Sequence, residues 1–344
     1  MKNLLYTAIF LFFTACISTK DTSSSENNSN IDYATKFAKT ITAKDLGKHL
    51  FVYASDEFEG RNTGEPGQKK AVAYLKDFYI SQGIASPIEE ENYFQPVPSS
   101  FLNKSKRGRN LKDSENVLAF IKGAAKPEEV VIISAHLDHE GIKNGKIYNG
   151  ADDDGSGTVA ILEIAEAFKK AVEAGKTPLR SILFLHVTAE EKGLLGSKYY
   201  TENPIFPLAN TVANLNIDMV GRVDDKHKEN PNYVYLIGSD KLSTELHNLS
   251  EEINQKYTNI DLDYTYNDEN DPNRFYYRSD HYNFAKHNIP IIFYFNGTHA
   301  DYHKPSDTAD KINYELLESR TRLIFHTAWE IANRKNRITV DKSN

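Results

Sequence analysis

Five polar segments of this chain carry residue types that could do chemistry together. His136-Leu137-Asp138 follows the apolar run Val130 to Ser134. Thr188-Ala189-Glu190-Glu191 follows Ser181 to Val187, and Asn216-Ile217-Asp218 closes a third apolar run. Between the first two lies Gly150-Ala151-Asp152-Asp153-Asp154-Gly155-Ser156-Gly157, where glycines allow tight turns around crowded acids. The last is His299-Ala300-Asp301-Tyr302-His303, after the run that starts at Pro290.

Imidazole with carboxylate forms a nitrogen/oxygen ligand set suited to zinc, and also to cobalt or manganese. Acids packed this closely repel, and a bound divalent cation removes that repulsion. Two histidines and at least three acids could hold two ions, one carboxylate bridging them. Asp138, two residues after His136, is placed to orient that ring through its other nitrogen. Glu190 and Glu191 are adjacent at a strand end, so their side chains diverge. One can bind metal while the other serves the attacking water as a base, which suits amide hydrolysis. Plainer readings stand beside these. Asp152 and Asp154 fit helix-capping positions before the helix at 156. Tyr302 is one of 20 tyrosines and fits a pocket wall. Gly155-Ser156-Gly157 lacks the Lys-Ser or Lys-Thr of a phosphate loop, and three acids precede it.

The elements that must position these residues alternate between strand and helix. Strands are expected at 117–121, 130–134, 181–187, 212–217, 233–237 and 290–295. Helices are expected from Thr42 (apolar face Leu46, Leu50, Val52), at 68–82, 156–174, 193–200, 240–256 and 313–333. Residues 84–128 are otherwise unassigned, and 222–232 reads as a loop. Near-continuous apolar strands alternating with helices indicate an α/β fold: a mixed, largely parallel central sheet with helices on both faces, a three-layer sandwich. Such sheets place their sites outside the carboxyl ends of the strands.

The five segments, together with Tyr302-His303-Lys304-Pro305-Ser306-Asp307-Thr308, resemble the M28 zinc aminopeptidase family over roughly residues 115–335. The resemblance implies that His136 and Asp218 bind one zinc. It implies that Asp153 bridges two ions and that Glu191 and His303 bind the other. It further implies Glu190 as general base, Asp138 as the acid behind His136, and Tyr302 as an oxyanion stabiliser. Arg278-Ser279-Asp280-His281 resembles a segment near the substrate pocket, and the Arg61-Asn62 region fits the family's N-terminal extension. The implied cofactor is two divalent ions, zinc first. The implied partner is a peptide with a free N-terminus. Two other readings share the scaffold: a glutaminyl cyclase-like enzyme, and a non-catalytic binding lipoprotein.

The amino terminus adds an address. Lys2, the apolar run Leu4 to Phe13 and small residues before Cys16 read as a signal peptide over 1–15. Phe13-Thr14-Ala15-Cys16 resembles a bacterial lipoprotein box, which implies lipid on Cys16 and a membrane-anchored, exported protein. Outer membrane, facing the periplasm or cell surface, is the expected placement. Residues 16–30 read as a flexible tether. Residues 31–344 read as a single metallopeptidase domain with a helical extension at about 31–115. Cys16 is the only cysteine, so an internal disulfide is excluded. With 48 acidic against 41 basic side chains, the charge of -7 argues against nucleic acid as a partner.

Overall fold

The central strands are apolar on successive residues because both of their faces are covered. In the third strand, Val131, Ile133 and Ala135 enter one core cluster, and Val130 and Ile132 enter the other. The computed structural model describes Met1, residues 32–105 and residues 110–342. Asp32–Asn344 form one compact unit. The export, lipid and tether readings fall on residues outside the described ones. No helix among the described residues is long and apolar enough to cross a membrane.

The strands among the described residues are β1 (Phe94–Val97), β2 (Ser114–Ile121), β3 (Lys126–His136), β4 (Gly141–Lys143), β5 (Lys146–Tyr148), β6 (Arg180–Val187), β7 (Thr211–Ile217), β8 (Tyr233–Ile237), β9 (Asp261–Asp263) and β10 (Ile291–Phe295). Eight of them form one sheet in the order β1-β2-β6-β3-β7-β10-β8-β9, and β4 pairs with β5 alone. The central four, β6-β3-β7-β10, are parallel, and β1, β2 and β8 join antiparallel. The helices are α1 (Tyr33–Ala38), α2 (Ala43–Tyr53), α3 (Pro66–Ser81), α4 (Ser99–Leu102), α5 (Gly157–Glu173), α6 (Leu195–Glu202), α7 (Thr244–Tyr257), α8 (His281–Ala285) and α9 (Tyr314–Asn333). Residues of α1, α2, α3, α5, α7 and α9 pack into the core on one face of the sheet. Tyr200 of α6 and Phe284 of α8 pack into the core on the other.

Several elements differ from expectation for physical reasons. β1, β4, β5 and β9 are short, and their sequences (Phe-Gln-Pro-Val, Gly-Ile-Lys, Lys-Ile-Tyr, Asp-Leu-Asp) contain no apolar run to announce them. In α2 the buried face is Leu46, Leu50 and Tyr53, while Val52 is 44% exposed. Two residues past Leu50, Val52 points about 200° away from it around the helix axis. The interval 222–232 contains a 3-10 turn, Asp225–His227, with Asp224 accepting from the His227 N–H at its start. There the buried His227 ring stacks on Tyr233 at 3.5 Å.

A buried acid of α5 faces the amino-terminal helices. Glu163 is 2% exposed, and His49 Nε2 of α2 is 3.8 Å from its Oε1. Burial pushes the Glu163 carboxyl up to about 8, and Glu166 and Asp45 add to the shift. The folded chain therefore holds a proton that the unfolded chain releases above pH 4.5. This contribution is complete at low pH and is lost as pH rises through 8. On the order of 4 kcal/mol is at stake across pH 5–8. Glu163→Gln is expected to flatten that decline in urea unfolding at fixed metal concentration. A variant with the wild-type pH slope would refute this account.

Candidate dinuclear metal centre

Parallel pairing brings the carboxyl ends of β6, β3, β7 and β10 to one edge of the sheet. His136 of β3 sits opposite Val187 of β6, and Ile217 of β7 opposite Tyr294 of β10. The polar segments that follow these strands converge there. Three non-glycine residues in the left-handed region aim them: Ala189 (φ 54°) before Glu190, Met219 (φ 64°) after Asp218, and His303 (φ 53°). Such conformations persist only where surrounding packing enforces them, and they cluster at functional sites. Gly157 is needed for a different reason. A Cβ there would lie 2.4 Å from an Asp154 carboxylate oxygen and 2.7 Å from the Ile217 carbonyl.

Asp153 stands at the middle. Its Oδ1 is 3.1 Å from His136 Nε2 and its Oδ2 is 3.0 Å from His303 Nε2. Asp218 Oδ1 is 3.6 Å from His136 Nε2, and Glu191 Oε2 is 3.4 Å from His303 Nε2. His136, Asp153 and Asp218 thus present ligand atoms all within 4.8 Å of one another. A second set at the same spacing comprises His139, Asp153 and Glu191, and a third comprises Glu140, Glu191 and His303. All five residues expected as metal ligands are therefore brought together, with Asp153 facing both sides. Two other histidines from the segments named in the sequence, His299 and His281, have other partners. His299 Nε2 is 3.1 Å from Asp152 Oδ2, and His281 Nε2 is 2.8 Å from the Tyr276 carbonyl.

The surrounding groups hold this arrangement in place. Asp138 lies behind His136, but its carboxylate is 3.9 Å from His136 Nδ1, and the Asp138 backbone carbonyl accepts from that nitrogen at 2.9 Å. The orienting contact expected of the side chain is made by the backbone of the same residue. The carboxylate instead accepts from the Glu190 N–H (3.0 Å) and the Thr63 hydroxyl (2.8 Å). Asp154 accepts from three backbone N–H groups, those of His136, Gly157 and Met219, and so ties three segments together. Asp152 accepts from the Gly221 N–H. Asp307, in the loop after His303, accepts from the N–H groups of Asp152 and Asp153.

Two further supports come mainly from residues to which the sequence assigns no individual role. Arg61 is buried and donates to the carbonyls of Leu137, Tyr53, Asn149 and Gly150, bracing both loops that carry the His136 and Asp153 segments. The second is a polar chain inside the sheet. Asn216 Nδ2 donates to Ser279 Oγ, which donates to Asp218 Oδ2 at 2.5 Å. The alternation Asn214-x-Asn216-x-Asp218 was the available signal: polar residues on one face of an otherwise apolar strand.

The electrostatics favour cations. Burial favours a neutral His136 ring, yet Asp218 and Asp153 outweigh it and raise its pKa well above the usual range. Burial pushes Glu190 well up, and Asp218, Asp280 and Glu191 add to that. The donor set fits two divalent ions, and it contains buried atoms without a hydrogen-bond partner among the described residues, including Asp153 Oδ2 and Glu191 Oε1. A small cavity of about 30 Å³ opens beside it. Asp153, Glu190 and Asp218 form its polar wall, Met219, Phe275, Phe293 and Phe295 its apolar wall, and Arg278, Tyr302 and His303 complete the lining.

The model of the Peptidase family M28 matches residues 116–328. The chain belongs to peptidase family M28. The leupeptin-inactivating enzyme 1 of Streptomyces exfoliatus is 29% identical over 263 residues, 76% of this chain and 50% of that protein. Aminopeptidase NAALADL1 of mouse is 39% identical over 111 residues, 32% of this chain and 14% of that protein. This M28 chain thus spans half or less of the length of these relatives. The LapA aminopeptidase of Legionella pneumophila shares the fold, with a TM-score of 0.66 at 22% identity over 88% of this chain and 75% of that one. An aminopeptidase from Aneurinibacillus shares it too, with a TM-score of 0.65 at 17% identity over 90% and 98%. The M28 match begins at residue 116, so Arg61 and Thr63 act on the family's site from outside the matched segment. Thr63→Val leaves a buried Asp138 oxygen without its donor and is expected to lower stability by about 1–3 kcal/mol. Thr63→Ser should restore it, as read by chemical denaturation.

Proposed function

We propose that this M28 chain is a dinuclear metal-dependent aminopeptidase that removes N-terminal residues from peptides. The observation that carries the reading is the placement of Asp153 between two ligand sets, with Glu190 beside it on the wall of the same cavity. His136 and Asp218 would hold one ion, Glu191 and His303 the other, and Asp153 would serve both. Divalent ions there, zinc foremost, supply Lewis acidity toward the scissile carbonyl and lower the pKa of water.

The chain's own groups do the rest. Glu190, with its raised pKa, takes a proton from the attacking water and returns it to the leaving amine. The Asp138 carboxylate fixes the Glu190 backbone through its N–H. Tyr302, on the cavity wall, donates its hydroxyl proton toward the developing oxyanion. Its pKa is raised by burial and by Asp153 and Glu191, which keeps it protonated as a donor. The apolar wall of Met219, Phe275, Phe293 and Phe295 receives the N-terminal side chain, and the carboxylates receive the free amine. The names of the mouse and Legionella relatives, both aminopeptidases, support the same class of activity.

Residues 31–344 act as one metallopeptidase domain in this reading, carried on a tether from a lipid on Cys16. The lipoprotein-like segment 13–16 supports that anchor. Cys16→Ser should abolish incorporation of a labelled fatty acid and release the protein from the membrane fraction.

The activity test compares unblocked with N-acetylated peptides, with and without chelator. Unblocked peptides should be cleaved, acetylated ones spared, and chelator should stop turnover. Equal cleavage of both would sink the aminopeptidase assignment. Glu190→Gln is expected to keep its metal, counted by elemental analysis, while losing about 10²–10⁴ in kcat. Full turnover in that variant would remove Glu190 as the base.

A further inference from the structure

We infer that His139 is a protein ligand of the second ion, opposite His303, so that this ion is held by four side chains: His139, Asp153, Glu191 and His303. The inference rests on the dinuclear reading and adds a residue to it. His139 lies three positions past His136, and its side chain is fully buried. Its N–H donates to the Arg61 carbonyl at 3.2 Å. The backbone at Gly150 closes over the ring so tightly that a Cβ there would sit 2.5 Å from it. Gly150 also has φ +54°, so this seat needs glycine on two counts.

Both imidazoles meet the same two carboxylates. His139 Nδ1 is 2.8 Å from Glu191 Oε1 and 3.8 Å from Asp153 Oδ2. His303 Nε2 is 3.4 Å from Glu191 Oε2 and 3.0 Å from Asp153 Oδ2. These spacings match those around His136, which are 3.1 and 3.6 Å. The two rings stand 5.8 Å apart at 67°; Glu191 is common to the ligand-atom set of each, His139 with Asp153 and His303 with Glu140.

The satisfaction of polar atoms points the same way. Both ring nitrogens of His139, Asp153 Oδ2 and Glu191 Oε1 are buried and make no well-aligned hydrogen bond among the described residues, although Nδ1 and Oε1 stand 2.8 Å apart and Oδ2 is 3.0 Å from His303 Nε2. Orphaned groups of this kind are rare, and each carries a desolvation penalty. A hydrogen bond between His139 and Glu191 would satisfy only two of the four atoms and would leave Asp153 Oδ2 as it is. A cation would satisfy His139 Nδ1 together with an oxygen of each acid, since His139, Asp153 and Glu191 offer ligand atoms within 4.8 Å of one another. Two nitrogens and two oxygens form a complete set for zinc. The two ions then differ in kind. The first has three protein ligands and keeps an open position toward the cavity. The second is closed by protein on four sides, with one imidazole fully buried and the other, His303, 38% exposed.

The test uses the full chain, stripped with chelator and titrated with zinc in a calorimeter, with bound metal counted after gel filtration. Wild type should take up two ions. His139→Ala and His139→Gln should keep one site at wild-type affinity and bind the second ion more than about 100-fold more weakly, beyond the 10–100-fold that loss of a group behind a ligand costs. His303→Ala should also retain the second ion, through the three remaining ligands. Wild-type affinity for both ions in both His139 variants would overturn the inference and leave the dinuclear reading standing. Fewer than two ions on wild type would overturn that reading, and this inference with it. A zinc-loaded crystal structure of wild type decides the matter without a variant. His139 Nδ1 within about 2.0–2.3 Å of the second ion supports the assignment. A ring turned to Glu191, with the ion beyond bonding distance, refutes it.

Discussion

Asp153 is buried with each of its oxygens facing a different imidazole, and the organisation of the site follows from that position. A carboxylate in such a place cannot be left alone. Asp154, Glu191, Asp218 and Glu190 crowd around it, and burial raises the free energy of each charge. Imidazoles and cations are the available compensation. The upward shift of His136, despite its burial, shows how strongly the surrounding acids favour positive charge here. Two divalent ions held at the sets that share Asp153 would remove the repulsion and would supply a centre able to activate water.

Holding that arrangement requires more than the groups that face the ions. Backbone amides do much of the work. Asp154 gathers three, Asp307 two and Asp138 one, so each acid links segments far apart in sequence. Arg61 performs the complementary task and gathers four backbone carbonyls. Charged groups bonded to backbone in a low-dielectric interior make strong, directional contacts. The amino-terminal extension is thus part of the active-site support, through Arg61 and Thr63, although the family match starts after it.

The sheet explains how a few strand ends can carry so much polarity. β3, β6, β7 and β10 are parallel, so their carboxyl ends share one edge, and the apolar faces behind them are covered by helices on both sides. Rigid strands set the ligand positions, and the left-handed residues Ala189, Met219 and His303 turn the chain at the point of use. Cavity and ligands then meet at the same edge.

The reach of the sequence and the contribution of the fold divide along a physical line. Local signals were legible in residue order: apolar runs with period-independent burial, acids between glycines, paired glutamates at a strand end. Those signals determined the α/β class and marked the segments that carry the histidines and acids, and the resemblance to the M28 family selected His136, Asp153, Glu191, Asp218 and His303 among them. Signals that depend on distant partners were not legible. Nothing near Arg61 announces that it will meet four carbonyls, and nothing near Asp138 says that its backbone, not its carboxylate, will orient His136. His139 stood in plain view within His-Leu-Asp-His, yet its depth and its facing of Glu191 arise only when β3 and β6 lie side by side. Short polar strands such as β9 were hidden for the same reason, because their stability comes from the neighbour they pair with. Residue order determined which groups could do the chemistry. Only the tertiary structure decided which atoms of those groups face one another, since burial and hydrogen-bond partnership belong to contacts across the chain and not along it.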